Sequence, residues 1–217
     1  MKVPASSGAA RLSLVAIAAA GLVAATGAAP GRGQTLEPVA VLEGPVDHVR
    51  AAGDLVYLSA GSTFTVVDVS DPTAPVRRGS HTFPEQVWGF RVHGDRAYVG
   101  ANFFGLAVVD LSDPDRPRVV GRLETLGQAK IGAAFGDRVA VIDHMDGVVV
   151  GDLSDESAPS LVATYFVDGY GRDVVADGPI AYAVDSPEGL YVFDLSSAAP
   201  EEPIGERLEP GMPRSIE

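Results

Sequence analysis

The chain contains no cysteine, which excludes disulfides, thiolate metal sites and a lipidated N-terminal cysteine. Positive charge is scarce: 16 lysines and arginines stand against 29 aspartates and glutamates, a formal charge of −13 over 217 residues. Such a surface repels phosphate backbones and anionic lipid, so nucleic acid is excluded as a partner class. Histidine occurs at His48, His81, His93 and His144, and the first three are scattered and read as solvated or turn residues. No Gly-x-Ser-x-Gly, His-Glu-x-x-His or phosphate-loop pattern occurs, so no catalytic motif and no cofactor is implied.

The first 29 residues have the layout of a secretory signal. Lys2 and Arg11 supply the positive region, Leu12 to Ala25 the apolar stretch, and Thr26-Gly27-Ala28-Ala29 the small residues before a cleavage site. Cleavage near Ala28 or Ala29 is expected, leaving no membrane span and placing the protein in the periplasm, at the cell surface or in the medium. The alternative is a retained anchor, because the 18 uncharged residues between Arg11 and Pro30 approach spanning length. Residues 30–37 (PGRGQTLE) read as a linker.

From residue 38 onward the chain repeats. Asp-(Val/Leu)-Ser-(Asp/Ser) begins at Asp68, Asp110, Asp152 and Asp194, a stride of 42 each time. That period matches one four-stranded propeller blade. Each unit resolves into four strand-like runs. The first two are joined at Gly53-Asp54, Gly94-Asp95, Gly136-Asp137 and Gly178-Pro179, dipeptides that favour tight hairpins. A second hairpin turns at Gly105, Gly147 and Gly189, where positive φ is expected. Thr63 stands in that place in the first unit, so its loop should have another shape. The third runs are near-continuously apolar, as strands covered on both faces require. After each, a carboxylate and a proline make a bend. Glu156 and Ser197 interrupt the Asp-Pro pattern and predict looser bends. Units fall near 38–79, 80–121, 122–163 and 164–206, followed by the start of another.

The segments FTVVDVS (64–70), LAVVDLS (106–112), VVVGDLS (148–154) and LYVFDLS (190–196), each leading into its bend, resemble the LVIVD repeat family of β-propellers. The resemblance spans 38 to the C-terminus. It implies an all-β, propeller-type array on an extracytoplasmic or cell-surface protein, and it carries over no catalytic residue. The ends do not close neatly: Pro38-Val39-Ala40-Val41-Leu42 resembles a fourth strand without a blade before it, and 212–216 the opening of a fifth unit. An incomplete ring or open arc is therefore expected over a closed four-bladed ring, with open blade edges able to support a homo-oligomer.

Alternate connections of an antiparallel blade emerge on the same side, so the Gly-Asp turns and Asp-Pro bends share one regular, structural rim. The opposite rim varies from unit to unit and is the expected ligand face. Its candidate binding residues are Trp88, Asn102, Phe103, Lys130, His144, Tyr170, Arg172 and Asp185. Phe103, Phe104, Tyr165 and Phe166 either present themselves to a ligand or pack between blades. Asp143, His144 and Asp146 admit a metal-site reading or that of a polar hairpin tip, and the second is preferred because neighbouring units supply no further histidine. Lys130, Arg172 and Arg214 either form a cationic ring near Trp88 or pair with acids such as Asp173. The expectation is a non-catalytic exported module binding a protein or polysaccharide. The alternatives are a propeller hydrolase or lyase with a funnel site, and a fragment of a larger ring.

Overall fold

The computed structural model describes residues 38–166, 170–186, 189–197 and 205–206. The leader, the linker, Asp168, Pro203, Arg214 and the 212–216 segment lie outside them. Within them the chain forms four antiparallel sheets, each of four strands in chain order. The first holds β1 (His48–Ala52), β2 (Leu55–Ala60), β3 (Thr63–Asp68) and β4 (Val76–Thr82). The second holds β5 (Gly89–His93), β6 (Arg96–Gly100), β7 (Leu106–Asp110) and β8 (Arg118–Leu123). The third holds β9 (Ala129–Phe135), β10 (Arg138–Asp143), β11 (Gly147–Asp152) and β12 (Ser160–Tyr165). The fourth holds β13 (Tyr170–Asp177), β14 (Ile180–Ser186), β15 (Gly189–Asp194) and the short β16 (Gly205–Glu206). Fourth strands run to Thr82, Leu123 and Tyr165, two or three residues past the ends of the 42-residue frames.

The sheets stack like blades. One buried cluster joins sheets one and two through Tyr57, Phe64 and Val66 against Phe90, Ala97 and Val99. A second joins two and three through Tyr98, Leu106 and Leu123 against Val139, Val141 and Leu153. A third joins three and four through Ile131, Ile142 and Val150 against Val174, Ala181 and Phe193. Position in the stack decides burial. All five residues of β7 are buried, whereas β3 and β15 at the two ends mix buried with half-buried residues. A strand with a blade on each side is dry on both faces; one at the end of an open array is not. The sheets thus form an open, propeller-like arrangement, and the described residues contain no helix.

Residues 38–42 are not a strand. Pro45 and Gly44, with φ of 133°, stop the segment from running into β1. Val39 and Val41 are exposed, and only Leu42 at its end packs, with Val46, against Val56, Leu58 and Val67 of the first sheet.

The regular rim is built four times by the same bonds. Gly53, Gly94, Gly136 and Gly178 have φ between 54° and 58°, and the residue after each does not, the pattern of a type II′ hairpin. The carbonyl after that glycine then receives the N–H that follows the third strand: Val69 to Asp54, Leu111 to Asp95, Leu153 to Asp137 and Leu195 to Pro179, at 2.7–2.9 Å. The repeating aspartate closes its own bend, its Oδ1 accepting from the N–H of Ser70, Ser112, Ser154 or Ser196 at 2.8–3.0 Å. The bend at Glu156 is no looser than the others. Ser157 N–H donates to Asp155 Oδ1 at 2.9 Å, as Thr73 does to Asp71, because it is the carboxylate, not the following proline, that sets the turn.

These bends also lock successive blades. Gly79 of β4 donates to the Pro114 carbonyl at 2.9 Å, and a Cβ there would strike the Asp115 backbone; one at Gly121 of β8 would strike the Glu156 carbonyl. Arg78 grips Asp115 through Nε at 2.7 Å and Nη2 at 2.8 Å, and Arg96 reaches Glu156 at 2.8 Å.

Candidate functional site: the irregular rim

At the other end of the blades two β-bulges aim cations at one place. In β9, Ile131 pairs with Ile142 and Ala129 with Asp143, so Lys130 is left over. In β13 the register likewise steps from Asp173 to Gly171, leaving Arg172 over. A bulged residue escapes the alternation of the ladder and turns its side chain aside. Room for Lys130 comes from the paired Gly89 and Gly100 of the preceding blade, since a Cβ on Gly100 would collide with the Lys130 backbone. Lys130 then carries its ammonium to 5.7 Å from the Trp88 ring centroid, within cation–π range. It also donates to the Gly171 carbonyl at 2.9 Å. Three successive blades are thus joined through one side chain.

Around this lysine the structure gathers most of the residues expected from the sequence. His144, at the tip of the β10–β11 hairpin, stacks on Tyr170 with centroids 5.1 Å apart and planes 23° apart. Burial, and then the charge of Arg172, lower the Lys130 pKa, with Asp185 and Asp143 opposing. Burial, Lys130 and Arg172 lower that of His144 against the pull of Asp143, which favours the neutral imidazole. Asp185 is buried, and its charge acts on Lys130. Asn102 takes φ of 52° in the β6–β7 hairpin and exchanges backbone hydrogen bonds with Ala129 at 3.1 and 3.2 Å. Its amide nitrogen donates to Glu85 at 3.1 Å. Phe103 beside it projects into solvent.

The four ambiguous aromatics divide evenly. Phe104 packs on the first core cluster beneath Arg122, 4.7 Å from its centroid, and Tyr165 packs among Tyr191 and Phe193. Phe103 and Phe166 are 56% and 71% exposed. Trp88 and Tyr170 are 39% and 56% exposed. Among the described residues, four of the five exposed aromatics therefore lie on this rim, Phe135 being the other.

Asp143 holds its hairpin together: Oδ1 accepts from the backbone N–H of Gln128, Met145 and Asp146 at 2.9–3.1 Å. Burial and this neighbouring carboxylate raise the Asp146 pKa. Among the described residues no three His, Asp or Glu side chains are placed to share a metal ion, and no helix is long and apolar enough to cross a membrane. Asp173 is bound by Arg91 of the second blade at 2.8 Å. The first unit also departs as expected at Thr63, its hairpin being a two-residue loop at Gly61-Ser62 with φ of 55° at the glycine.

Stacked four-stranded sheets with one locked rim and one irregular rim define a propeller-type repeat protein. The LVIVD repeat model matches residues 43–82, 86–125 and 129–167, more than half of the chain, and the chain belongs to the LVIVD repeat family. The fourth sheet, which carries LYVFDLS, extends the array beyond those three matches. No curated protein matches the chain.

Proposed function

We propose that the chain is an exported, non-catalytic module that binds a protein or polysaccharide through its irregular rim. The observation that carries this reading is the asymmetry of exposure. Trp88, Phe103, Phe166 and Tyr170 stand exposed on the irregular rim, with Trp88 against a lysine that also reaches the fourth blade. Exposed aromatics grouped beside a cation on a rigid scaffold are the anchor type found at binding interfaces. The periodic rim, by contrast, uses its polar groups internally.

The test is affinity electrophoresis of the full chain in gels containing neutral and acidic polysaccharides, paired with capture from an extracytoplasmic protein fraction. Retardation by one polysaccharide, or one saturably captured protein, is expected, with loss in a Trp88→Ala/Tyr170→Ala variant that stays folded. Binding unchanged in that variant would overturn the rim assignment. Export is tested by the N-terminus of protein made from the whole open reading frame. Sequence beginning near Ala29 or Pro30 supports it, and an intact Met1 on soluble protein in the cytoplasm refutes it.

A further inference from the structure

One row of paired residues recurs across the sheets. Arg50, Tyr57 and Val66 lie side by side in the first blade and Arg91, Tyr98 and Val108 in the second. Ala133, Ala140 and Val150 take those places in the third, and Val175, Tyr182 and Val192 in the fourth. The innermost member of each row lines one cavity of about 650 Å³ between the inner strands, so the blades share an axis and the rows look the same way around it.

In the first three blades that face is packed on the blade that follows. Tyr57, Phe64 and Val66, then Tyr98, Leu106 and Val108, then Ala140, Val148 and Val150 are all no more than 6% exposed. In the fourth blade Tyr182, Leu190 and Val192 hold the same places and are only half-buried, while Val184 beside Leu190 is buried. Tyr191 and Phe193 between them turn to the third blade. Among the described residues no further blade follows.

The other end of the stack is closed. Val56, Leu58 and Val67, which face away from the second blade, are no more than 5% exposed, with Leu42 and Val46 of the entering chain packed on them. A repeat array stays soluble by capping its terminal faces. Here one terminal face is capped, and the other carries the residue types that elsewhere make an interface between blades.

We propose that the outer face of the fourth blade is a self-association surface, on which two copies of the chain meet about a two-fold axis. Continuity with the three interfaces inside the stack selects a sheet of this same kind as the occupant. Head-to-tail stacking would need the first blade of the second copy, whose face Leu42 and Val46 already cover. The uncapped face of the second copy remains, and that isologous contact closes a pair where a head-to-tail one would grow a filament. The surface is independent of the irregular rim and stands or falls separately from it.

The test is sedimentation velocity of the full chain over a range of concentrations, with salt enough to screen its net charge of −13. A monomer–dimer equilibrium without larger species is expected. Val192→Glu puts an unpaired charge on both sides of the contact and should weaken it about a hundredfold or more. Tyr182→Ser should weaken it less, and it keeps the proposal testable if the glutamate variant folds poorly. Since the chain has no cysteine, Val192→Cys and Val41→Cys each give one thiol per chain; a short bis-maleimide should link two copies of the first and none of the second. Trp88→Ala should leave association unchanged. The assignment is overturned if the chain is monomeric up to millimolar concentration, if both face variants associate as tightly as the parent chain, or if linking proceeds through Val41→Cys and not Val192→Cys.

Discussion

The two rims are made from the same sheets, yet one spends its polar groups inward and the other leaves its aromatics outward. On the regular rim each bend is closed by an aspartate and tied to the hairpin beside it, and those of the second and third blades press against the outer strand of the blade before. On the irregular rim the inter-blade ties are of unlike kinds, among them Val87 to Gly61, Asn102 to Ala129 and Lys130 to Gly171. The difference teaches where identity of sequence is required. A position that must meet an identical neighbour repeats every 42 residues, and one that meets solvent does not.

The sharpest way to break this comparison is at the blade lock. Gly121→Ala forces a methyl into the Glu156 carbonyl, and overpacking of this kind should cost about 1–3 kcal/mol. A urea midpoint unchanged by that substitution would mean that the regular rim is not what binds successive blades. A third copy of the position carries Ala163, so Ala163→Gly should have the smaller effect.

Acid should come next. Hydrogen bonds from Ser112, backbone first, and then Arg118 hold the Asp110 pKa down at about 2. Hydrogen bonds from the following serine similarly lower Asp68, Asp152 and Asp194. A carboxylate depressed in the folded state contributes stability that is complete above its unfolded value of about 4 and is lost as pH falls toward the folded one. Urea midpoints should therefore stay level from pH 7 to 5 as far as these groups decide it, then drop between about pH 4 and pH 2. Asp110→Asn should flatten part of that drop; an identical profile would remove Asp110 from the account.

The smallest change in stability belongs to the irregular rim. Phe103→Ser should stay within about 0.5 kcal/mol of the parent, and Trp88→Ala and Tyr170→Ala, which each lose one ring contact, should cost no more than about 1.5 kcal/mol. Thermal unfolding measures this directly. A loss at Phe103 comparable to that of Gly121→Ala would show that the rim is structural after all.

Much of the fold could be read from the residues, and for a definite reason. Asp68, Asp110, Asp152 and Asp194 recur because each closes the same bend, and Gly53, Gly94, Gly136 and Gly178 because each starts the same turn. The candidate site was legible in part. Trp88, Lys130 and Arg172 were visible as non-repeating residues near the start of an innermost strand, but the bulges that turn Lys130 and Arg172 aside were not. A bulge depends on which partner residue is skipped, and pairing is a property of two strands. Arg50 and Arg91 went unnoticed although they share a place in the repeat, spaced 41 residues apart instead of 42. The first unit's shorter second hairpin moves its two inner strands by one residue relative to the aspartates. Aligning on the Gly-Asp turns would have brought the two arginines together. The looser bend expected at Glu156 failed because the proline was credited with a turn that the aspartate makes.

The sequence alone determined that this chain is a series of equivalent four-stranded sheets, because turns and buried third strands are local demands that each unit must meet again. Only the tertiary structure decided which cations share a neighbourhood, that Asp173 answers Arg91 of the second blade, and that a cavity lies between the inner strands. Those outcomes depend on distances between residues as many as 82 positions apart in the chain, which no repeat period encodes.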